Sequence, residues 1–137
     1  MMLTTTNPTA TVTDSVEDTL AKAMATFDAK GSQGPLLVPA TPAGLEAITL
    51  LSGLGLSVTA TAVTDTSTGI LASMAGADYL QMDIQDLRAA GVDPLEAIAS
   101  LAAMLLATGS SATVLATGWT DSAIARAAEA AGAIAVS

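Results

Sequence analysis

Few side chains in this 137-residue sequence are equipped for chemistry. Histidine and cysteine are both absent, which removes imidazole acid–base work, thiol nucleophiles, disulfides and Cys/His zinc sites together. Carboxylates, two amines and many hydroxyls remain. Asp65, Asp83 and Asp86 fall at or just after the carboxyl ends of predicted strands, and two or three carboxylates on one rim can bind a hard cation. Asp83 with Asp86 could also serve as an acid–base pair. The plainer reading of all three is solvated loop acids and helix caps, so no metal and no cofactor is expected. The only lysines, Lys22 and Lys30, sit on or just after the first predicted helix, away from strand ends, a poor position for imine chemistry. Serine and threonine are plentiful, but a nucleophilic hydroxyl needs an adjacent base. Gly53-Leu54-Gly55 closes a helix instead of opening one, which makes it a turn pair and not a dinucleotide fingerprint. Met82 and Trp119 stand at strand ends, where packing is a plainer role than ligand contact.

The elements that must position these residues follow one grammar. Val16, Leu20, Ala23, Met24 and Phe27 recur at helical spacing after Asp14. A Gly/Ser/Pro turn over residues 31–35 leads into the uncharged run Leu36 to Ala40, as expected of a buried strand. Thr41 then caps a helix with Pro42 in its first position, ending at Gly53 and Gly55. Strand Ser57 to Val63, helix Ser67 to Ala75, strand Asp78 to Met82, helix Pro94 to Ala107, strand Ala112 to Thr117, a helix from Asp121 or Ser122 to Ala131 and strand Ala133 to Val136 complete the series. Short apolar strands alternating with helices predict βαβ units and a parallel sheet. Spacing alone leaves an open doubly wound sheet and a barrel equally acceptable.

The chain is 51% hydrophobic but only 2% aromatic, so its core is built from Ala, Leu, Val, Ile and Met. Thirteen acidic residues against four basic ones give a formal net charge of -9, which repels phosphate backbones and anionic lipid surfaces. Neither nucleic acid nor membrane is an expected partner. The uncharged stretch from Ala97 to Thr120 is broken by Gly109, Ser110 and Ser111, so it reads as helix, turn and strand instead of a membrane span. Residues 1–14 lack the basic and apolar regions of a secretory signal, and a cytoplasmic location is expected.

Several segments together resemble the transaldolase family, in particular its small fructose-6-phosphate aldolase-like branch. They are Leu37-Val38-Pro39-Ala40-Thr41-Pro42-Ala43-Gly44-Leu45-Glu46-Ala47-Ile48, then Thr61-Ala62-Val63, then the run from Gly69 to Tyr79, with Thr5-Thr6-Asn7-Pro8 ahead of them. The likeness runs from about Gly34 to Ser137 and implies an aldolase-type (β/α) barrel with its site at the carboxyl ends of the strands. It places the family's Schiff-base lysine at Leu37, whose side chain has no lone pair to form an imine. It also puts the phosphate-binding arginine at Asp86, with Arg88 two residues away, a serine at Gly118 and the aromatic acid–base helper at Asp83. Asn7 and Thr61 match the family. Asn7, Thr41, Thr61, Asp83 and Arg88 are thus the candidate substrate-binding residues, with Thr61 and Asp83 the candidates for any catalysis. The resemblance further implies that the first and third barrel strands have no counterpart here, leaving about six parallel strands in a single-domain partial barrel that does not close.

An unclosed parallel sheet leaves backbone groups and apolar faces without partners, so a homo-oligomer is expected. Three functions fit. The first is a transaldolase-like protein of carbohydrate metabolism that binds a small sugar or sugar phosphate without Schiff-base activity. The second is an active sugar-related lyase or transferase with a rebuilt site, and the third a non-catalytic oligomerising interaction module.

Overall fold

The computed structural model describes residues 15–30 and 35–136. Helix α1 (Val16–Lys30) precedes strand β1 (Leu36–Pro39), helix α2 (Pro42–Gly53), strand β2 (Val58–Thr61), helix α3 (Thr66–Ala75) and strand β3 (Tyr79–Asp83). A short helix α4 (Ile84–Ala89) then leads to helix α5 (Pro94–Thr108), strand β4 (Thr113–Thr117), helix α6 (Ser122–Ala130) and strand β5 (Ile134–Ala135). The five strands form one parallel sheet in the order β1-β2-β3-β4-β5. The sixth expected strand, Thr5-Thr6-Asn7-Pro8, lies outside the described residues.

Sequential order settles what spacing left open. A doubly wound sheet reverses direction at a switch point, whereas here each strand is added beside the last, as in a partial β/α barrel. Right-handed crossovers repeated in one direction put the connecting helices on one face of the sheet. Side-chain alternation agrees: Leu36, Val38, Val58, Ala60, Leu80, Met82, Val114 and Ala116 are buried. Strand alternation sends the intervening residues to the other face. Leu37 there is 52% exposed and Ile134 50%.

Local chemistry explains the boundaries. Pro42 opens α2 after its Thr41 cap, Asp65 caps α3 and Asp93 caps α5 with Pro94 behind it, while Gly76 and Gly109 end α3 and α5 in the left-handed conformation. The β1–α2 elbow is tight. A Cβ at Gly44 would lie 1.6 Å from the Pro39 carbonyl oxygen, so only glycine lets the helix start this close to its strand.

Two sequence expectations are corrected. Residues 84–89, read as loop, form α4, because Ile84 and Leu87 are both buried and Asp83 supplies its cap. Strand β2 stops at Thr61, short of the expected Val63, because Ala62 adopts a positive φ of 59° that an extended strand does not accommodate. Among the described residues, no helix is long and apolar enough to cross a membrane.

Candidate functional site

The carboxyl ends of β1 to β4 bring most of the candidate residues to one rim. In β1, Leu37 pairs with Thr59 and Pro39 with Thr61; in β3, Tyr79 pairs with Thr59 on one side and Thr113 on the other, and Asp83 pairs with Thr117. Leu37, Thr61 and Asp83 therefore share the helix-free face and climb by two residues from each strand to the next. With strands about 4.8 Å apart and a rise of about 3.3 Å per residue, neighbours on this diagonal are roughly 8 Å apart at the backbone. That span suits a small polyhydroxy compound better than direct proton transfer between the side chains.

Two candidates, Thr41 and Asp83, have defined local roles. Thr41 is the cap of α2, and its hydroxyl accepts a hydrogen bond from the Gly44 amide at 3.0 Å. Asp83 is the most heavily engaged. Its Oδ1 accepts from the Gln85 amide at 2.9 Å and the Asp86 amide at 3.1 Å, and its Oδ2 accepts from the Thr117 hydroxyl at 3.2 Å. Gln85 Nε2 donates to the Gly118 carbonyl at 2.9 Å, so the first turn of α4 and the loop after β4 are tied together. Gly118 has φ of 73°, and a Cβ there would meet Asp83 Oδ2 at 2.5 Å. Glycine at this position lets the backbone turn and leaves the carboxylate its place.

The remaining candidates spread out. Asp86 is in the first turn of α4 and Arg88 in its last, both exposed. Asp65 Oδ1 caps α3 by accepting from the Thr68 amide at 2.7 Å, and among the described residues no cluster of three or more acidic side chains could hold a metal ion. Asn7 lies outside the described residues. Lys22 and Lys30 both belong to α1, which packs on α2 and β1 on the helix-covered side, away from Leu37. Met82 is buried in the core. Trp119, half-buried, donates from Nε1 to the Val136 carbonyl at 3.0 Å and so pins the end of the chain to the rim.

Sequence reasoning missed Thr117, Gln85 and the strained Ala62. Thr117 and Gln85 become relevant only through pairings 33 and 34 residues apart, which no local pattern reveals. Ala62 reads as an ordinary strand residue. A non-glycine residue in the left-handed region costs roughly 1 to 2 kcal/mol, and this one sits directly after Thr61, where it turns the chain at the rim.

A cavity of about 590 Å³ opens at the other end of the sheet, lined by Ser52, Ser57, Asp78, Tyr79, Ser111 and Thr113 among others. It lies at the amino ends of β2 to β4, on the side where parallel α/β sheets do not usually place their chemistry.

No family model matches the chain. It is 39% identical over 99 residues to a probable fructose-6-phosphate aldolase of Streptococcus pneumoniae (strain ATCC 700669 / Spain 23F-1). That similarity takes in 72% of this chain but 45% of the relative, so the chain spans a little under half the length of the protein it resembles.

Proposed function

We propose that the chain is a fructose-6-phosphate aldolase-like protein of the transaldolase family, which binds a sugar or sugar phosphate at the carboxyl-end rim and forms no Schiff base. The observation that carries this reading is Leu37. It is half-exposed on the helix-free face of β1, at the position where the resemblance expects the amine. Imine formation needs a nitrogen lone pair, and leucine has none. The two lysines offer no substitute, because their helix packs on the opposite side of the sheet. The 39% identity to a probable fructose-6-phosphate aldolase, over 72% of the chain, supports the ligand class. Asp86 and Gly118, where the resemblance expects a basic residue and a serine, favour a weakly charged sugar over a strongly held phosphate.

The test uses three readouts on the purified chain. Fructose 6-phosphate is expected to be left uncleaved. Borohydride reduction in the presence of dihydroxyacetone is expected to leave the intact mass unchanged. Trp119, the only tryptophan, is expected to report saturable binding of the sugar through its fluorescence. Turnover accompanied by a reduced adduct on Lys22 or Lys30 would overturn the loss of imine chemistry, and a flat fluorescence response at millimolar sugar would overturn the binding reading.

A further inference from the structure

The amino ends of the strands carry an inference separate from sugar binding at the rim. There the loops entering β2, β3 and β4 converge on the cavity of about 590 Å³, with Ser57, Asp78 and Ser111 each contributed by a different loop. Asp78 is its fixed point. The Asp78 amide donates to the Val58 carbonyl at 2.9 Å, its carbonyl accepts from the Thr113 amide at 3.0 Å, and its carboxylate Oδ2 accepts from the Val58 amide at 3.3 Å. Three bonds thus clamp the residue between β2 and β4, so a ligand that meets this carboxylate has little ordering cost to offset.

Among the described residues, no hydrogen bond engages Asp78 Oδ1 or the hydroxyls of Ser52, Ser57, Tyr79, Ser111 and Thr113. The wall is also closely fitted. Gly76, at φ of 118°, lies so near Ser52 that a Cβ there would meet Ser52 Oγ at 2.3 Å, and glycine leaves that hydroxyl its place at the cavity.

The donor set selects the ligand. None of the described lining residues is basic, and a net charge of -9 repels anions and draws cations. One carboxylate is too few for a hard divalent ion, and among the described residues no cluster could hold a metal. A carboxylate beside an aromatic ring suits an ammonium group, which takes a charge-assisted hydrogen bond from the first and the ring quadrupole of the second. Hydroxyls both donate and accept, so those around Asp78 match a ligand that carries hydroxyls of its own. The volume admits a ligand the size of a monosaccharide. We infer that this cavity binds a small hydroxylated primary ammonium ion, an amino sugar or amino alcohol, with its ammonium group on Asp78 Oδ1 beside Tyr79 and its hydroxyls among Ser57, Ser111 and Thr113.

Two-dimensional amide NMR of the isotope-labelled full chain, titrated with glucosamine at constant ionic strength, tests this. Saturable shifts are expected at the amides of Gly55, Ser57, Asp78 and Ser111, half-complete in the millimolar range. N-acetylglucosamine keeps the ring and loses the charge, and it is expected to bind there about tenfold more weakly. Asp78→Asn retains an acceptor for the Val58 amide and is expected to lower glucosamine affinity by a similar factor, abolishing the preference between the two sugars. The comparison of sugars on the parent chain holds however well that variant folds. Equal binding of N-acetylglucosamine, tighter binding of glucose 6-phosphate, or no saturable shift at the cavity amides would overturn the inference. Shifts confined to Asp83 and Thr117 would overturn it too while supporting sugar binding at the rim, so the two readings fail separately.

Discussion

The two faces of the sheet come from the same strands and differ in almost everything else. On the helix side, Val38, Ala60, Leu80 and Met82 are fully buried, and the covering helices approach so closely that Gly44 has no space for a side chain. On the other side, Leu37 is half exposed on β1 and polar Thr61, Gln81 and Asp83 occupy β2 and β3. Strand alternation gives one sequence two environments: one residue set packs under the helices, and the other, apart from buried Thr59, stays at least partly exposed.

The largest effect that separates the faces is expected from Leu80→Ala. Truncation at a fully buried core position costs about 2 to 5 kcal/mol, whereas Leu37→Ala at a half-exposed position is expected to change stability by less than about 0.5 kcal/mol. Urea unfolding checks both. Equal losses would mean that the second face is covered within a single chain.

A smaller effect sharpens the rim. Asp83→Ala removes the cap of α4 and the acceptor for Thr117, and is expected to cost about 1 to 2 kcal/mol. Asp83→Asn keeps a capping oxygen and is expected to stay within about 0.5 kcal/mol of the parent in the same urea titration. If Asp83→Asn left stability intact yet abolished a measured sugar turnover, Asp83 would be a catalytic carboxylate, and the rebuilt-enzyme reading would replace the one proposed above.

The smallest effect concerns Ala62. Glycine adopts positive φ without steric cost, although it loses more entropy on folding. Ala62→Gly is therefore expected to raise the thermal midpoint by a few degrees, the equivalent of about 0.5 to 1 kcal/mol. A decrease would show that the Cβ makes a contact worth more than the relief of strain.

The comparison also explains what the sequence could reveal. The caps Thr41 and Asp93, the prolines behind them and the stops at Gly76 and Gly109 are local signals, and each coincides with an element end. Charge-free strand runs between helices identified the parallel sheet, because a strand walled on one side by helices still needs apolar residues there. Strand order was not legible from spacing, since neighbours are chosen by crossover direction and not by local composition. Nor was the rim network. Asp83 read equally well as a loop acid, a base or a cap, and its bond to Thr117 depends on a register visible only once β3 and β4 lie side by side. Helix α4 escaped notice because six residues offer too little periodicity to register.

The sequential strand order bears on how the molecule comes into being. Among the described residues every strand pairs with the next one along the chain, so their sheet contacts join positions roughly 20 to 35 residues apart. Such an array can be laid down from the amino end as it leaves the ribosome, each new hairpin-sized module docking on a finished predecessor. For the same reason a module could be gained or lost at either margin during evolution without disturbing the interior pairings.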